Sequence, residues 1–183
     1  RFVVNSKISL VIPVFNESIE IDNFFNDLSD CDFNIINEII FIDDCSTDNS
    51  YELLKKKIIE FKSDPLKINF IISSNTKNRG YGFSIKKGVD KSNNDSIAII
   101  DLDRTYKIDD LNHIANQFIN NHEPRYDLIS GQRKIDASNT SKLKRIGKSI
   151  INYIANFSFN EKIVDYNSGL RIFDKNKFIK HSH

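Results

Sequence analysis

The chain has 183 residues, 39% of them hydrophobic and 28% charged, which is apolar material for one domain core and too much for a disordered chain. Lys plus Arg number 26 against 25 for Asp plus Glu, a net charge of +1, so the basic excess of a general nucleic-acid binder is missing. Cys31 and Cys45 form no CxxC pair, which argues against a disulfide scaffold or a cysteine-based zinc site and fits a reducing compartment.

In chain order, Ile8 to Val14 is a β-branched run closed by Pro13 and polar residues, read as a buried strand. Ser18 is placed to cap a helix whose Ile21, Phe24, Phe25 and Leu28 share one face. Glu38 to Ile42 is the second strand, and Asp48 caps a helix with Tyr51, Leu54, Ile58 and Phe61 at helical spacing. Pro65 ends that helix, and Ile68 to Ile72 is the third strand. Gly80 to Asp90 is predicted as a helix, Ile97 to Ile100 as a strand, Asp109 to Asn120 as a helix and Asp127 to Ser130 as a strand. Ser141 to Phe159 reads as one more helix, with Leu143, Ile146, Ile150, Ile154 and Phe157 in a stripe opposite Arg145, Ser149, Asn152 and Asn156. An ordinary amphipathic surface helix fits that pattern equally.

Apolar strands alternating with helices imply βαβ crossovers, hence an α/β fold with a mostly parallel sheet and helices on both faces. With no repeat and no low-complexity linker, residues 1–183 read as a single domain. No stretch approaches the ~20 apolar residues of a membrane span. A chain that starts at Arg1, contains no Met and stops soon after a strand-like segment is expected to be a fragment of a longer one.

Ligands of open α/β sheets sit outside the carboxyl ends of the strands, and there the chain gathers acids: Asn16 and Glu17 after strand one, Asp43, Asp44 and Asp48 after strand two, Asp101 and Asp103 after strand four. Like charges collect at the cost of repulsion unless cations or donors compensate. Asp44 to Asp48 alone also fits a turn and helix cap. Asp101 and Asp103, two apart, point to one side, a pair suited to a hard divalent cation that also holds a diphosphate. Asn75 to Gly82 puts glycines, Lys77 and Arg79 at a helix start, an arrangement that approaches anions or is simply a glycine turn with solvated cations. No P-loop and no GxGxxG after strand one is present, which argues against a dinucleotide cofactor.

Ile8 to Glu17, Ile40 to Asp48, Asn78-Arg79-Gly80-Tyr81-Gly82 and Asp101-Leu102-Asp103 together resemble family 2 glycosyltransferases of the GT-A fold, a Rossmann-like α/β architecture. Thr105-Tyr106, Gly131-Gln132-Arg133, Arg145 with Ser149, and Asp165 to Arg171 are similar to the polyprenyl-phosphate sugar transferases related to dolichyl-phosphate mannose synthase. The chain departs from the pattern at Cys45, where Gly or Asn is common, at Ser84, where Ala is common, at Lys107-Ile108, which replaces a Pro-containing turn, and at Arg104 beside the paired acids.

The resemblance implies a nucleotide diphosphate sugar donor held by Pro13, Phe15, Asn16, Glu17, Asp43, Asp44, Arg79 and Gly80. It implies Mg²⁺ or Mn²⁺ at Asp101 and Asp103, which with Arg133 are the catalytic residues, and inversion at the sugar carbon. Residues 1–103 would form the nucleotide-sugar half and 104–183 the acceptor half. The implied acceptor is a polyprenyl phosphate, undecaprenyl or dolichyl, held by Arg133, Arg145 and Ser149 at the cytoplasmic face of a membrane, with anchoring peripheral or by parts outside this chain. Such a phosphate is already largely ionised at neutral pH, its second pKa being near ~6, so it calls for arginines rather than a base. The alternatives are a saccharide hydroxyl acceptor, which needs a general base, and a catalytically silent GT-A nucleotide-binding module. The histidines carry no metal spacing, Phe24 and Phe25 are expected in the core, and Cys45 is expected to be a small filler.

Overall fold

The computed structural model describes residues 7–29, 35–61, 68–120, 126–131 and 168–181. Its elements are β1 (Ile8–Val14), α1 (Ile21–Ser29), β2 (Ile36–Asp43), α2 (Ser50–Phe61), β3 (Asn69–Ser74), α3 (Tyr81–Lys91), β4 (Ser96–Ile99), α4 (Ile108–Asn120), β5 (Leu128–Ser130), β6 (Arg171–Asp174) and α5 (Lys175–His181). They form one six-stranded sheet in the order β3-β2-β1-β4-β6-β5. β1 pairs in parallel with β2 and β4, and β2 with β3. β6 runs antiparallel between β4 and β5. The mostly parallel α/β sheet expected from the sequence is present, closed at one side by two short strands.

Strand order fixes the layers. From β1 to β2 to β3 the chain steps one way, and from β3 to β4 it steps back past β1. Right-handed crossovers therefore place the helices of the two directions on opposite faces. α1, α2 and α4 lie over Leu10, Ile12, Ile39, Phe41, Ala98 and Ile100. α3 lies over Val11, Ile40, Ile42, Ile97 and Ile99 through Ile85 and Val89, joined by Phe173 and Phe178. Adjacent strand residues thus bury on opposite faces, the period-two signature of strands covered on both sides. The first face centres on Phe41, fully buried, with the Phe24 and Phe25 ring centroids 5.8 and 6.0 Å away; each such ring contributes about 1.5–3 kcal/mol by leaving water. On the other face, Gly88 lets α3 approach closely: a Cβ there would sit 2.3 Å from a Val11 methyl.

Pro13 lies inside a central strand without breaking a ladder. The Val11 carbonyl accepts from Ile100 N–H, so by alternation the Pro13 nitrogen faces the same side, beyond the last β1–β4 partners, Val11 and Ile99. Ser18 is not the α1 cap: the helix opens at Ile21, and Phe24 N–H reaches back to the Glu20 carbonyl. Pro65, the 141–159 helix and residues 165–167 fall outside the described residues. Among those described, no helix is long and apolar enough to cross a membrane.

Candidate active site

The sheet order reverses direction between β1 and β4, and beyond the carboxyl ends of these strands opens a cleft of about 410 Å³. Pro13 and Val14 end β1, Phe15 and Glu17 follow it, Asp44 follows β2, Asn78 and Gly80 precede α3, Tyr81 and Ser84 open it, and Asp101, Leu102 and Asp103 follow β4. Leu102 is buried while Asp101 and Asp103 flank it at the cleft, so the two acids share a side although they sit in a turn rather than in the strand. Among the described residues, non-glycine positive φ occurs only at Asn16 (57°), Cys45 (62°) and Arg104 (57°). These follow β1, β2 and β4, so backbone strain concentrates around the cleft.

Much of the acidic edge is internally saturated. Asp44, 4% exposed, accepts at Oδ1 from Asn75 Nδ2 (2.7 Å) and Arg79 N–H (2.9 Å) and at Oδ2 from Gly80 N–H (2.7 Å). Burial disfavours its charge, but the bonds from Arg79, Asn75 and Gly80 outweigh that and hold its carboxyl below the usual range. Gly80, at φ 87°, takes a conformation that favours glycine and delivers this N–H. Asp43 accepts from Ser74 Oγ and Ser46 N–H. Asn16 Oδ1 accepts from Thr47 N–H at 2.8 Å and Asp48 N–H at 3.3 Å. Asp48 caps α2 through Ser50 N–H and takes Ser18 N–H with its other oxygen. Burial opposes its ionisation, and the Ser50 and Ser18 bonds bring it down to about 2.

Besides Asp44, three carboxylates line the cleft: Glu17, Asp101 and Asp103. Burial first, then the charge of Asp103, and further that of Glu20 and Asp101, push the Glu17 carboxyl up. Asp103 is exposed and accepts from Thr105 N–H at 2.9 Å. Asp101 Oδ1 accepts from the Tyr81 hydroxyl at 2.9 Å; burial, then Asp101, raise the Tyr81 pKa, so the phenol keeps its proton. Arg104 does not neutralise this group. It turns to Asp27 of α1, 3.3 Å away.

The predicted donor residues therefore separate. Pro13, Phe15, Glu17, Asp44, Gly80, Asp101 and Asp103 line the cleft. Asn16 and Asp43 brace loops instead. The Arg79 guanidinium lies 4.3 Å over the Phe83 ring, and its N–H and that of Gly80 are engaged by Asp44, so these two amides are not open to an anion. Arg133, Arg145 and Ser149 lie outside the described residues. Tyr81 and Gly169 carried no assigned role in the sequence, and the only pointer to them is their place inside the Gly-Tyr-Gly and Ser-Gly-Leu segments.

No group of three or more His, Cys, Asp or Glu poised to hold a metal ion occurs among the described residues. The donor chemistry nevertheless fits a hard cation that keeps phosphate and water ligands: oxygen donors only, one of them an exposed carboxylate, with Glu17, Asp101 and Asp103 gathered at one cleft.

The fold is shared with solved glycosyltransferases. A mannosyltransferase from Pyrobaculum calidifontis, solved with GDP-Man and Mn²⁺, superposes over 95% of this chain and 46% of its own with a TM-score of 0.66 at 14% identity, a likeness of fold. A prophage bactoprenol glucosyl transferase homolog of Escherichia coli (strain K12) is 29% identical over 168 residues, 87% of this chain and 51% of its own. A UDP-N-acetylglucosamine–dolichyl-phosphate N-acetylglucosaminyltransferase of Methanococcus voltae is 26% identical over 180 residues, 92% of this chain and 69% of its own. The chain spans about half the length of the bactoprenol-type relatives it matches. The profile of glycosyl transferase family 2 matches residues 9–182, which takes in all of the described sheet but Ile8 and all the cleft carboxylates: the chain belongs to glycosyl transferase family 2.

Proposed function

We propose that this chain is the catalytic part of an inverting glycosyltransferase that moves a sugar from a nucleotide diphosphate sugar to a polyprenyl phosphate. The observation that carries the reading is the facing of Glu17, Asp101 and Asp103 into one cleft at the sheet's switch point, in a family member whose relatives are named for bactoprenol and dolichyl phosphate. Asp101 and Asp103 would hold Mg²⁺ or Mn²⁺. When bound, the cation neutralises charge on the leaving diphosphate.

Phe15, 45% exposed at the cleft, offers a face to the donor base, and Pro13 borders it. Asp44 acts by fixing the Arg79–Gly80 turn that forms the opposite wall. A lipid phosphate oxygen forms the new bond to the sugar C1 as the bond from C1 to the β-phosphate oxygen breaks, and the electron pair leaves with the nucleoside diphosphate. The attacking oxygen is already anionic, so no proton moves and no enzyme base is required. Arg133, Arg145 and Ser149 are assigned to the acceptor phosphate, and the reaction is placed at the cytoplasmic face of a membrane.

The test is transfer by the full-length protein from a panel of radiolabelled nucleotide sugars, with and without undecaprenyl or dolichyl phosphate, followed by organic extraction. Label in the lipid phase only when polyprenyl phosphate and Mg²⁺ or Mn²⁺ are both present is the expected result. Label carried only to saccharide hydroxyl acceptors would replace the reading with the hydroxyl alternative.

A further inference from the structure

Asp101 is held from two sides by segments distant in sequence. On one side, Tyr81, the first residue of α3, donates to Oδ1 at 2.9 Å. On the other, a Cβ at Gly169 would fall 2.0 Å from Oδ2, so any side chain there must displace the carboxylate. Both neighbours are themselves fixed. Gly80, just before Tyr81, is tied to Asp44 at 2.7 Å. Ser168, just before Gly169, is buried and lies 2.8 Å from the Tyr106 hydroxyl, and the Leu170 carbonyl accepts from Gly131 N–H at 2.8 Å.

Carboxylate rotation about its last torsion is soft, and Asp101 sits in a turn beyond the last paired residue of β4. Tyr81 is 48% exposed, so its ring adds little to the core; the hydroxyl is what the site uses. We propose that Tyr81 is a positioning residue which, against the backbone of Gly169, fixes the plane of Asp101 so that the Asp101–Asp103 pair is ready for the cation of a bound nucleoside diphosphate. The proposal rests on the metal reading given above. Partners that orient ligating side chains typically change metal affinity 10–100-fold when removed.

The experiment is Mn²⁺ binding to the full-length protein, followed by the electron paramagnetic resonance of free Mn²⁺, with UDP and with GDP added in separate series. Tyr81→Phe keeps the ring and removes the donor. It should weaken Mn²⁺ binding about 10–100-fold while melting temperature and metal-free nucleotide affinity stay at wild-type values. Gly169→Ala should weaken Mn²⁺ in the same direction, but Tyr81→Phe is the deciding variant because it perturbs packing least. Wild-type Mn²⁺ affinity in Tyr81→Phe overturns the proposal. So does a loss of Mn²⁺ affinity matched by equal losses in melting temperature and metal-free nucleotide affinity, which marks a structural role. If the wild-type protein binds no Mn²⁺ beside either nucleotide, the metal assignment and the positioning role fall together. If Mn²⁺ binding behaves as expected and lipid transfer fails, only the acceptor reading falls.

Discussion

Replacing Asp44 by Asn separates a ligand group from a structural brace. The two side chains are nearly isosteric, and Asn keeps one acceptor oxygen. Asp44 uses both of its oxygens: Oδ1 serves Asn75 Nδ2 and Arg79 N–H, and Oδ2 serves Gly80 N–H. If the Asn oxygen takes the Oδ1 place, its amide group meets Gly80 N–H donor to donor; if it flips, it meets two donors. One hydrogen bond to a charged group, about 1.5–3 kcal/mol, is lost, and a buried donor is stranded at about 1–3 kcal/mol. The sum is about 4 kcal/mol, or a fall of about 8–16 °C in melting temperature for a domain of this size. The sign with pH follows from the depressed carboxyl. Its contribution is fully present above the unfolded value, about 3.9, and is lost as pH falls through the folded value. Urea unfolding followed by circular dichroism should show the wild-type advantage at pH 7 and a narrowing gap below about pH 4. A variant with unchanged stability and only a lower nucleotide affinity would refute the bracing argument.

Asp103→Ala removes the exposed member of the pair, which accepts from the neighbouring Thr105 N–H. Mn²⁺-dependent binding of nucleoside diphosphate should vanish by calorimetry with the melting temperature kept, and unchanged affinity in the folded variant sinks the metal assignment. Glu38 is buried at the opposite end of the sheet, where Ser9, Asn93 and Asn69 donate to it. Burial opposes its charge, but these bonds lower its pKa, so its stabilisation holds above about 4.3 and fades as pH falls further. Glu38→Gln should cost about 1.5–3 kcal/mol at pH 7 and flatten the acid side of the stability profile; a parallel profile would count against the charged form.

The central sheet was legible because its strands are apolar runs with acidic or glycine-rich turns behind them. β1 matches its predicted span, and β2, β3 and β4 differ at their ends by one or two residues. Ends drift because pairing continues past the apolar run: Asp43 pairs with both Val14 and Ser74 although it is charged. The insertion of β6 between β4 and β5 was not legible. Strands of four and three residues carry little periodicity, and their direction is set by a chain path that no local pattern encodes. Ser18 misled for a related reason. It has the chemistry of a cap, but its N–H is taken by Asp48 thirty residues away, which moves the helix start onward.

The site was legible in position and only partly in role. Polar residues at strand ends look alike in sequence, whether they face a ligand or a neighbouring loop. Asn16, Asp43, Asp44 and Asp48 all join loops that different strands deliver, and their oxygens are occupied by N–H and hydroxyl donors 30 to 36 residues away as well as by near neighbours. That bracing holds strained turns such as those at Asn16 and Cys45 in place. It also leaves Asp43, Asp44 and Asp48 hydrogen-bonded by loop donors, while Glu17, Asp101 and Asp103 line the cleft. A divalent cation held by Asp101 and Asp103 would offset part of the negative charge that these carboxylates and an incoming diphosphate bring together. The loop donors thus stabilise the ionised acids of the sheet edge, and entry of an anion would rest on the cation that Asp101 and Asp103 are placed to hold.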